Sequence, residues 1–111
     1  MTNVLAPAEP DVVELAARFA LLADPLRLRI VTALAGEQLC TCHLVDITGA
    51  KQTTVSHHLR LLREAGVVEG EGDGRFTWYR LTDGALGRAA RALDHLAAAE
   101  PPRRLRVTCE G

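Results

Sequence analysis

Two of the three cysteines in this chain stand close enough together to act as one chemical group. Cys40 and Cys42 are separated by a single residue, whereas Cys109 lies far along the sequence. An odd number of cysteines does not suit a framework of structural disulfides, which leaves metal binding or redox chemistry. Cysteine binds ions as the thiolate, and thiolates select soft ions. We therefore predict a thiophilic ion site at Cys40 and Cys42, where a following helix N-terminus would lower the pKa of both thiols.

A polar segment follows about ten residues after the cysteine pair, and its stretch from Lys51 to Arg63 contains no acidic residue, as is typical of a DNA-reading helix. If residues 51–65 form a helix, Val55, Leu59 and Leu62 form its buried stripe, because a helix turns about 100° per residue. His58 falls beside that stripe, and we assign it a structural role. The opposite face carries short polar side chains and arginine, which suit contacts with phosphates and base edges. The DNA contacts predicted on this helix are Lys51, Gln52, Thr53, Ser56, His57, Arg60 and Arg63.

Two helices are predicted ahead of the cysteine pair. Apolar residues recur at helical spacing over residues 12–22. Asp24 and Pro25 then supply an N-cap and a proline at the first position of a second helix, which ends near Gly36.

Residues 41–48 suit a short third helix, with Thr41 as a possible N-cap and Gly49 after its end. The tight turn at residues 48–50 joins it to the predicted DNA-reading helix. Two helices joined in this way indicate a helix-turn-helix.

The pattern changes from helical to strand-like after Gly66. Residues 67–69 and 76–81 are rich in β-branched and aromatic side chains, and a glycine-rich stretch between them indicates a hairpin with a flexible tip. In this predicted wing, Arg75 is the expected phosphate or minor-groove contact. Residues 83–99 return to helical spacing.

The resulting prediction is a mainly α fold with a β-hairpin wing, a winged helix-turn-helix in the order α-α-α-α-β-β-α. Residues 1–10 are predicted to be a flexible N-terminal arm, residues 11–99 the DNA-binding and dimerisation domain, and residues 100–111 a C-terminal tail that carries Cys109. The apolar stripes of the first and last helices exceed what a small core needs. We therefore expect a homodimer, which would also place two helices in successive major grooves.

Composition excludes several other classes of protein. With 48% hydrophobic residues and a net charge of −1, the chain of 111 residues is neither globally disordered nor coated in positive charge. It has no apolar run of the roughly 18 residues needed to cross a bilayer and no secretion signal at its start, so we expect a cytoplasmic protein without a membrane partner. The absence of a glycine-rich cofactor loop, a Cys-x-x-Cys pair and paired catalytic carboxylates argues against an enzyme.

These features together resemble the ArsR/SmtB family of bacterial metal-sensing winged-helix repressors. The resemblance runs from about residue 20 to residue 85. Its matching stretches are residues 39–44, 53–59, 62–68, 74–75 and 79–81. The Cys-x-Cys placement is similar to that of the arsenic- and antimony-responsive branch. The resemblance implies a homodimeric repressor that binds double-stranded operator DNA with an inverted repeat and releases it when As(III) or Sb(III) binds.

The chain departs from that family pattern at the third sulfur. The arsenic-binding version has a third cysteine on the same helix, where this chain has Val45, and the cadmium/lead version uses an N-terminal cysteine, which residues 1–39 lack. We therefore predict that Cys109 completes the site with Cys40 and Cys42, within one chain or across the dimer. Two-thiol binding with an outside ligand is the competing arrangement.

Two other inducers remain open on the same fold. Cd(II), Pb(II) or Zn(II) could bind Cys40 and Cys42 together with His43 or Cys109, and a redox sensor could oxidise the same thiols. The family's second metal site, on the last helix, needs a histidine two residues after Asp83, where this chain has Ala85. We predict no zinc site there.

Overall fold

The computed structural model describes residues 11–102; the predicted arm at residues 1–10 and Cys109 in the tail lie outside the described part of the chain. The described residues form five helices and three strands. In chain order they are α1 (Val12–Leu22), α2 (Pro25–Gly36), β1 (Leu39–Cys40), α3 (Thr41–Thr48), α4 (Gln52–Glu64), β2 (Val68–Asp73), β3 (Phe76–Leu81) and α5 (Gly87–Ala98). This order confirms the predicted winged helix-turn-helix and adds the short strand β1.

The start of α2 follows the predicted capping signals. Asp24 has extended backbone angles, and its Oδ1 accepts hydrogen bonds from the backbone N–H groups of Leu26 at 2.8 Å and Arg27 at 3.1 Å. Pro25 occupies the first turn, where no N–H is needed. The helix ends at Gly36, as predicted.

The start of α3 corrects one detail of the sequence analysis. Cys40, not Thr41, is the N-cap, with φ −91° and ψ 170°. The reason is that Cys40 is the last residue of β1 and keeps its extended conformation, so Thr41 is already helical. The end is as predicted: Gly49 has φ 72°, and its N–H donates to the carbonyl of Val45 at 2.8 Å. Because a left-handed conformation favours glycine, the turn into α4 starts at this residue.

The core lies where α2, α3 and α4 pack against the sheet. The predicted stripe of α4, Val55, Leu59 and Leu62, is fully buried. This confirms the rotation of α4 that the sequence analysis assumed. The other members of the core cluster are Ile30, Val31, Leu34, Leu39, Leu44, Val67, Val68 and Tyr79.

The sheet is antiparallel with strand order β1-β3-β2. Strand β1 pairs Leu39 with Tyr79 and Cys40 with Trp78, so the cysteine pair is attached to the base of the wing. Strand β2 runs as far as Asp73, which corrects the predicted flexible tip: most of the glycine-rich stretch is paired strand. A Cβ at Gly70 would lie 3.1 Å from the Tyr79 ring, so glycine allows this close approach.

The last helix begins later than predicted. Residues 83–86 form turns, and α5 starts at Gly87, because Gly84 takes a left-handed conformation with φ 71°. Its apolar stripe is largely uncovered in the single chain, since Leu93 is 52% and Leu96 68% exposed. Val12 and Val13 of α1 are also exposed. Within residues 11–102, none of the helices combines the length and the apolar character that crossing a membrane requires.

Candidate functional site

The two cysteines of the predicted ion site are in direct contact. Cys40 is buried at the end of β1, and Cys42 is exposed in the first turn of α3. Their Sγ atoms lie 2.6 Å apart as a thiol–thiol hydrogen bond, and neither is in a disulfide. The structure therefore brings these two predicted ligands together.

The two thiols differ in acidity. Burial raises the pKa of the Cys40 thiol, but hydrogen bonds from the Cys42 side chain and from nearby backbone N–H groups outweigh burial, so its pKa lies below the ordinary value. The pKa of the Cys42 thiol is raised, first because it donates its proton to Cys40 and also because of burial. Backbone N–H groups at the helix N-terminus lower the pKa of both thiols, as expected, but at Cys42 the hydrogen bond to Cys40 outweighs them. Cys40 is the thiol that ionises first.

His43 completes a three-residue cluster with the thiols. Its Nδ1 accepts a hydrogen bond from the backbone N–H of Cys40 at 3.3 Å and lies 3.3 Å from the Cys40 Sγ. Its ring packs 5.7 Å, between centroids, from the ring of Trp78. One ligand atom from each of Cys40, Cys42 and His43 lies within 4.8 Å of the other two. From the sequence, His43 is predicted only as an alternative ligand.

A cleft of about 460 Å³ opens beside the cysteine pair. Cys40 and Cys42 form one border, and Gln52 at the start of α4 and Arg75 at the wing tip also line it. Two predicted DNA contacts and two predicted ion ligands therefore share one surface depression.

The predicted DNA-binding residues lie on one exposed surface. All seven on and before α4 are exposed, and so is Arg75. The Arg60 guanidinium contacts the Nδ1 of His57 at 3.0 Å. The Arg63 guanidinium lies 6.0 Å from the centre of the Tyr79 ring, at the distance of a cation–π contact with the wing. These side chains can meet a phosphate backbone without rearrangement of the core.

His58 lies beside the buried stripe, as predicted. Its Nδ1 contacts the Arg27 guanidinium at 3.1 Å, and the same arginine donates to the carbonyl of Leu21 at 2.6 Å. Burial lowers the pKa of His58, and the positive charges of Arg27 and His57 act in the same direction. The neutral ring is thus the form that suits this contact.

Two further arginines hold the helix-turn-helix in place and were missed by the sequence analysis. Arg29 donates to the carbonyls of Ile47 at 2.9 Å and Thr48 at 3.3 Å, at the C-terminus of α3. Arg18 of α1 donates to the carbonyl of Ala65 at 2.9 Å, just after α4. Arginine here satisfies carbonyls that a helix end leaves free. The sequence carries no local signal for either contact, because the partners lie 18 to 47 residues away.

Comparisons with known proteins agree with this architecture. Residues 24–70 match the family model "Bacterial regulatory protein, arsR family". Over 84 residues the chain is 39% identical to a transcriptional repressor SmtB homolog of Synechocystis sp., covering 75% of this chain and 64% of the relative. Over 62 residues it is 44% identical to the cadmium resistance regulatory protein CadC of Listeria innocua, covering 55% of this chain and 52% of the relative. The chain thus spans less than two thirds of either relative.

A solved structure is also similar to this chain, and the match covers a larger share of that structure than of either relative. It is described as a possible transcriptional regulator for arsenical resistance and is 32% identical to this chain, with a TM-score of 0.65. The match covers 72% of this chain and 83% of that structure. With the helix-turn-helix and the cysteine pair both inside the residues matched by the family model, the chain belongs to the ArsR/SmtB family of helix-turn-helix transcriptional regulators, which are not enzymes.

Proposed function

We propose that this protein is a homodimeric transcriptional repressor that binds inverted-repeat operator DNA in the cytoplasm and releases it when As(III) or Sb(III) binds its cysteine thiolates. The observation that carries this proposal is the contact between Cys40 and Cys42 at the N-terminus of α3. This helix is the first of the helix-turn-helix, so ion binding acts on the element that supports α4.

The names of similar proteins support a soft ion as inducer. One relative is named for cadmium resistance, and one solved structure is described for arsenical resistance. Both ions are thiophilic, and Cys40 and Cys42 supply the soft ligands that such ions select.

Ion binding would change the geometry of the thiol pair. The proton shared by Cys40 and Cys42 would leave, and both sulfurs would bond to the same ion as thiolates. Since Cys40 is fixed in β1, an ion bound to both sulfurs would act on the exposed Cys42 and the first turn of α3. A coupling of about 1–3 kcal/mol between ion and DNA is typical of such regulators.

As(III) takes three sulfurs, and we propose Cys109 as the third, from the same protomer or its partner. The described residues supply a different third ligand, His43, whose Nδ1 is 3.3 Å from the Cys40 Sγ. Imidazole suits Zn(II) and related divalent ions, so this contact favours Cd(II), Pb(II) or Zn(II) as the second candidate.

A DNA-binding titration tests the proposal. Fluorescence anisotropy of labelled inverted-repeat DNA is measured while arsenite, Cd(II) and Zn(II) are added separately. Trp78, the single tryptophan of the chain, reports ion binding independently of DNA, because it pairs with Cys40 and packs on His43.

The variants Cys40→Ser and Cys42→Ser are expected to bind DNA normally and to lose release by arsenite by at least about tenfold, which corresponds to the coupling lost. Thr41→Ser, between the two cysteines, is the matched control. Cys109→Ser is expected to impair release by arsenite but not by the divalent ions. His43→Gln is expected to impair release by the divalent ions but not by arsenite. Normal arsenite release from both Cys40→Ser and Cys42→Ser would exclude the site.

A further inference from the structure

An open groove of about 540 Å³ lies between α2 and the end of α3, and it shares no lining residue with the cleft at the cysteine pair. Leu28 and Ile47 are its large apolar side chains, and they are 49% and 45% exposed. The other lining residues are Pro25, Arg29, Thr32 and Ala33. Two large aliphatic side chains that face one groove are thus left about half uncovered.

The polar groups of this groove are already bound within the fold. The Arg29 guanidinium donates to the carbonyls of Ile47 at 2.9 Å and Thr48 at 3.3 Å. The Thr32 hydroxyl donates to the carbonyl of Leu28 at 2.7 Å. The aliphatic stem of the arginine and the methyl group of the threonine are therefore the parts left for an occupant. The groove suits apolar side chains better than a phosphate backbone.

The groove lies outside the two surfaces described above. All its lining residues belong to α2 and α3, whereas the predicted DNA contacts lie at α4 and the wing, and the expected dimer face uses α1 and α5. A second copy of the chain seated in the groove would give each protomer two self-associating faces and would join dimers into larger assemblies. An occupant from the same chain covers the groove without that consequence.

Residues 1–10, which lie outside the described part of the chain, have the composition of such an occupant. Residues 4–8 read Val-Leu-Ala-Pro-Ala and carry no charge. Pro7 and Pro10 favour an extended backbone at themselves and at the residue before each, which lowers the entropy lost when the segment is ordered. The segment can therefore offer apolar side chains to a groove at little cost.

Charge also favours this segment over the other end of the chain. Within residues 1–10 the one charged side chain is that of Glu9, which is opposite in sign to Arg29 at the groove. Residues 103–111 carry three arginines, at positions 103, 104 and 106, and would bring like charge to Arg29. The first segment is thus the complementary one.

The arm of the same chain is long enough to reach the groove. Ten extended residues span up to about 33 Å. Helix α1 has 11 residues and is about 16 Å long, and the link from its end to Pro25 adds at most about 11 Å. Asp11 and Pro25 are therefore at most about 27 Å apart, within the span of the arm whatever the direction of α1.

We propose that the groove lined by Leu28 and Ile47 binds residues 4–8 of the same chain as an extended segment. Ile47 is the last residue but one of α3, directly ahead of the turn that leads to α4. The docked arm braces α2 against the end of α3 and so supports the helix-turn-helix from the side opposite the solvent-exposed thiol. The interaction needs neither DNA nor an ion, so it does not depend on the proposed inducer.

A photocrosslink tests this assignment in the full chain, without DNA or ions. The variant Leu5→p-benzoylphenylalanine is irradiated, and the crosslinked peptides are mapped by mass spectrometry. We expect crosslinks to residues 25–33 and to Ile47. In a mixture of light- and heavy-isotope protomers, both crosslinked peptides are expected to carry the same isotope, because the arm and the groove belong to one chain.

A matched pair of substitutions tests the groove itself. Leu28→Glu is expected to lower the crosslink yield at least about tenfold, because it removes an apolar contact and places a charge where it would be desolvated. Phe76→Glu, which changes a residue of similar exposure outside the groove, should retain the yield; the two exposures are 49% and 53%. Circular dichroism verifies that both variants are folded.

Hydroxyl-radical oxidation gives a second measurement that leaves the groove unchanged. In a chain that carries Val4→Asp and Leu5→Asp, the oxidation of Leu28 and Ile47 is expected to rise above that in the parent. Oxidation of Phe76 should stay the same, because this side chain lies outside the groove.

Four results would each overturn the assignment. These are crosslinks confined to peptides outside the groove, crosslinked pairs of mixed isotope, a yield in Leu28→Glu equal to that of the parent, and unchanged oxidation of Leu28 and Ile47 in the arm variant. The last result would leave the groove to the C-terminal tail or to another protein. None of the four bears on the thiol site, which is tested separately by the release of DNA.

Discussion

Cys40 and Cys42 differ in what each can do although they stand two residues apart. Cys40 is buried and has the lowered pKa, and Cys42 is exposed and has the raised one. The buried thiolate is thus the first ligand available. The exposed thiol loses its proton when an incoming ion takes the place of that proton. This order follows from the single hydrogen bond between the two sulfurs.

His58 provides a pH-dependent contribution to stability at the level of one side chain. Its pKa in the folded protein is below the ordinary 6.5, because burial and the charges of Arg27 and His57 disfavour the imidazolium, while Asp24 opposes them. The contribution to stability is therefore complete above the ordinary pKa and is lost as pH falls through the lower, folded value.

We expect His58→Gln to lose less thermal stability than the parent between about pH 7.5 and about pH 5.5, since glutamine keeps an acceptor for Arg27 but does not titrate. The melting temperature at both pH values measures this. His57→Gln, on the exposed face of the same helix, is the control and should keep most of the pH dependence of the parent, because the charge of His57 is the smallest of the causes that lower the pKa of His58. A steeper loss in His58→Gln than in the parent would contradict the assignment.

The beginning of α2 depends on one carboxylate. Asp24 satisfies two backbone N–H groups that the helix leaves free, and hydrogen bonding to the backbone of Arg27 is the leading reason that the pKa of Asp24 is lowered. Asp24→Ala is expected to lower the free energy of unfolding by about 1 kcal/mol. Urea denaturation measures the change. Asp24→Asn keeps a capping oxygen and should retain most of the stability, so an equal loss in both variants would show that capping is not the cause.

The elements differ in how well the sequence predicted them. The helices α2, α3 and α4 follow from signals within a few residues, such as Asp24 before Pro25 and Gly49 after the end of α3. Strand β1 was missed because two residues are too short for alternation to appear, and its pairing with β3 is a long-range contact. The start of α5 was placed too early because the left-handed Gly84 interrupts an otherwise helical pattern.

The candidate site, like the elements, could be predicted only in part from the sequence. The exposed face of α4 could be predicted because its three buried residues fix the rotation of the helix. The place of His43 could not, because it depends on the side-chain conformation that brings Nδ1 to the Cys40 sulfur. The shared cleft also needed the fold, since the wing reaches it from more than thirty residues away in the sequence.

At the scale of the whole molecule, the faces of α1 and α5 leave apolar side chains uncovered. Leu93 and Leu96 on α5 and Val12 and Val13 on α1 are each more than half exposed. An ion pair of 2.6 Å between Glu14 and Arg88 bridges the two helices at their exposed surface. A second copy of the chain would bury these side chains, as the proposed homodimer requires.

We expect Leu93→Glu to convert the dimer to a monomer and to weaken DNA binding by at least about tenfold, because a charge placed in an apolar interface is costly. Sedimentation analysis and DNA anisotropy measure the two effects. Leu28→Glu is the matched control, since Leu28 is 49% exposed and Leu93 52%, and it should remain a dimer. A dimeric Leu93→Glu protein with normal DNA affinity would place the interface elsewhere.

Arg18 has a consequence for how operator architecture changes over evolution. It ties α1, on the proposed dimer face, to the backbone that follows the DNA-reading helix. A substitution that shifts how two copies meet would therefore be transmitted to the separation of the two reading helices along the duplex. In the proposed homodimer, the preferred half-site spacing would then change while every residue proposed to contact DNA stays the same.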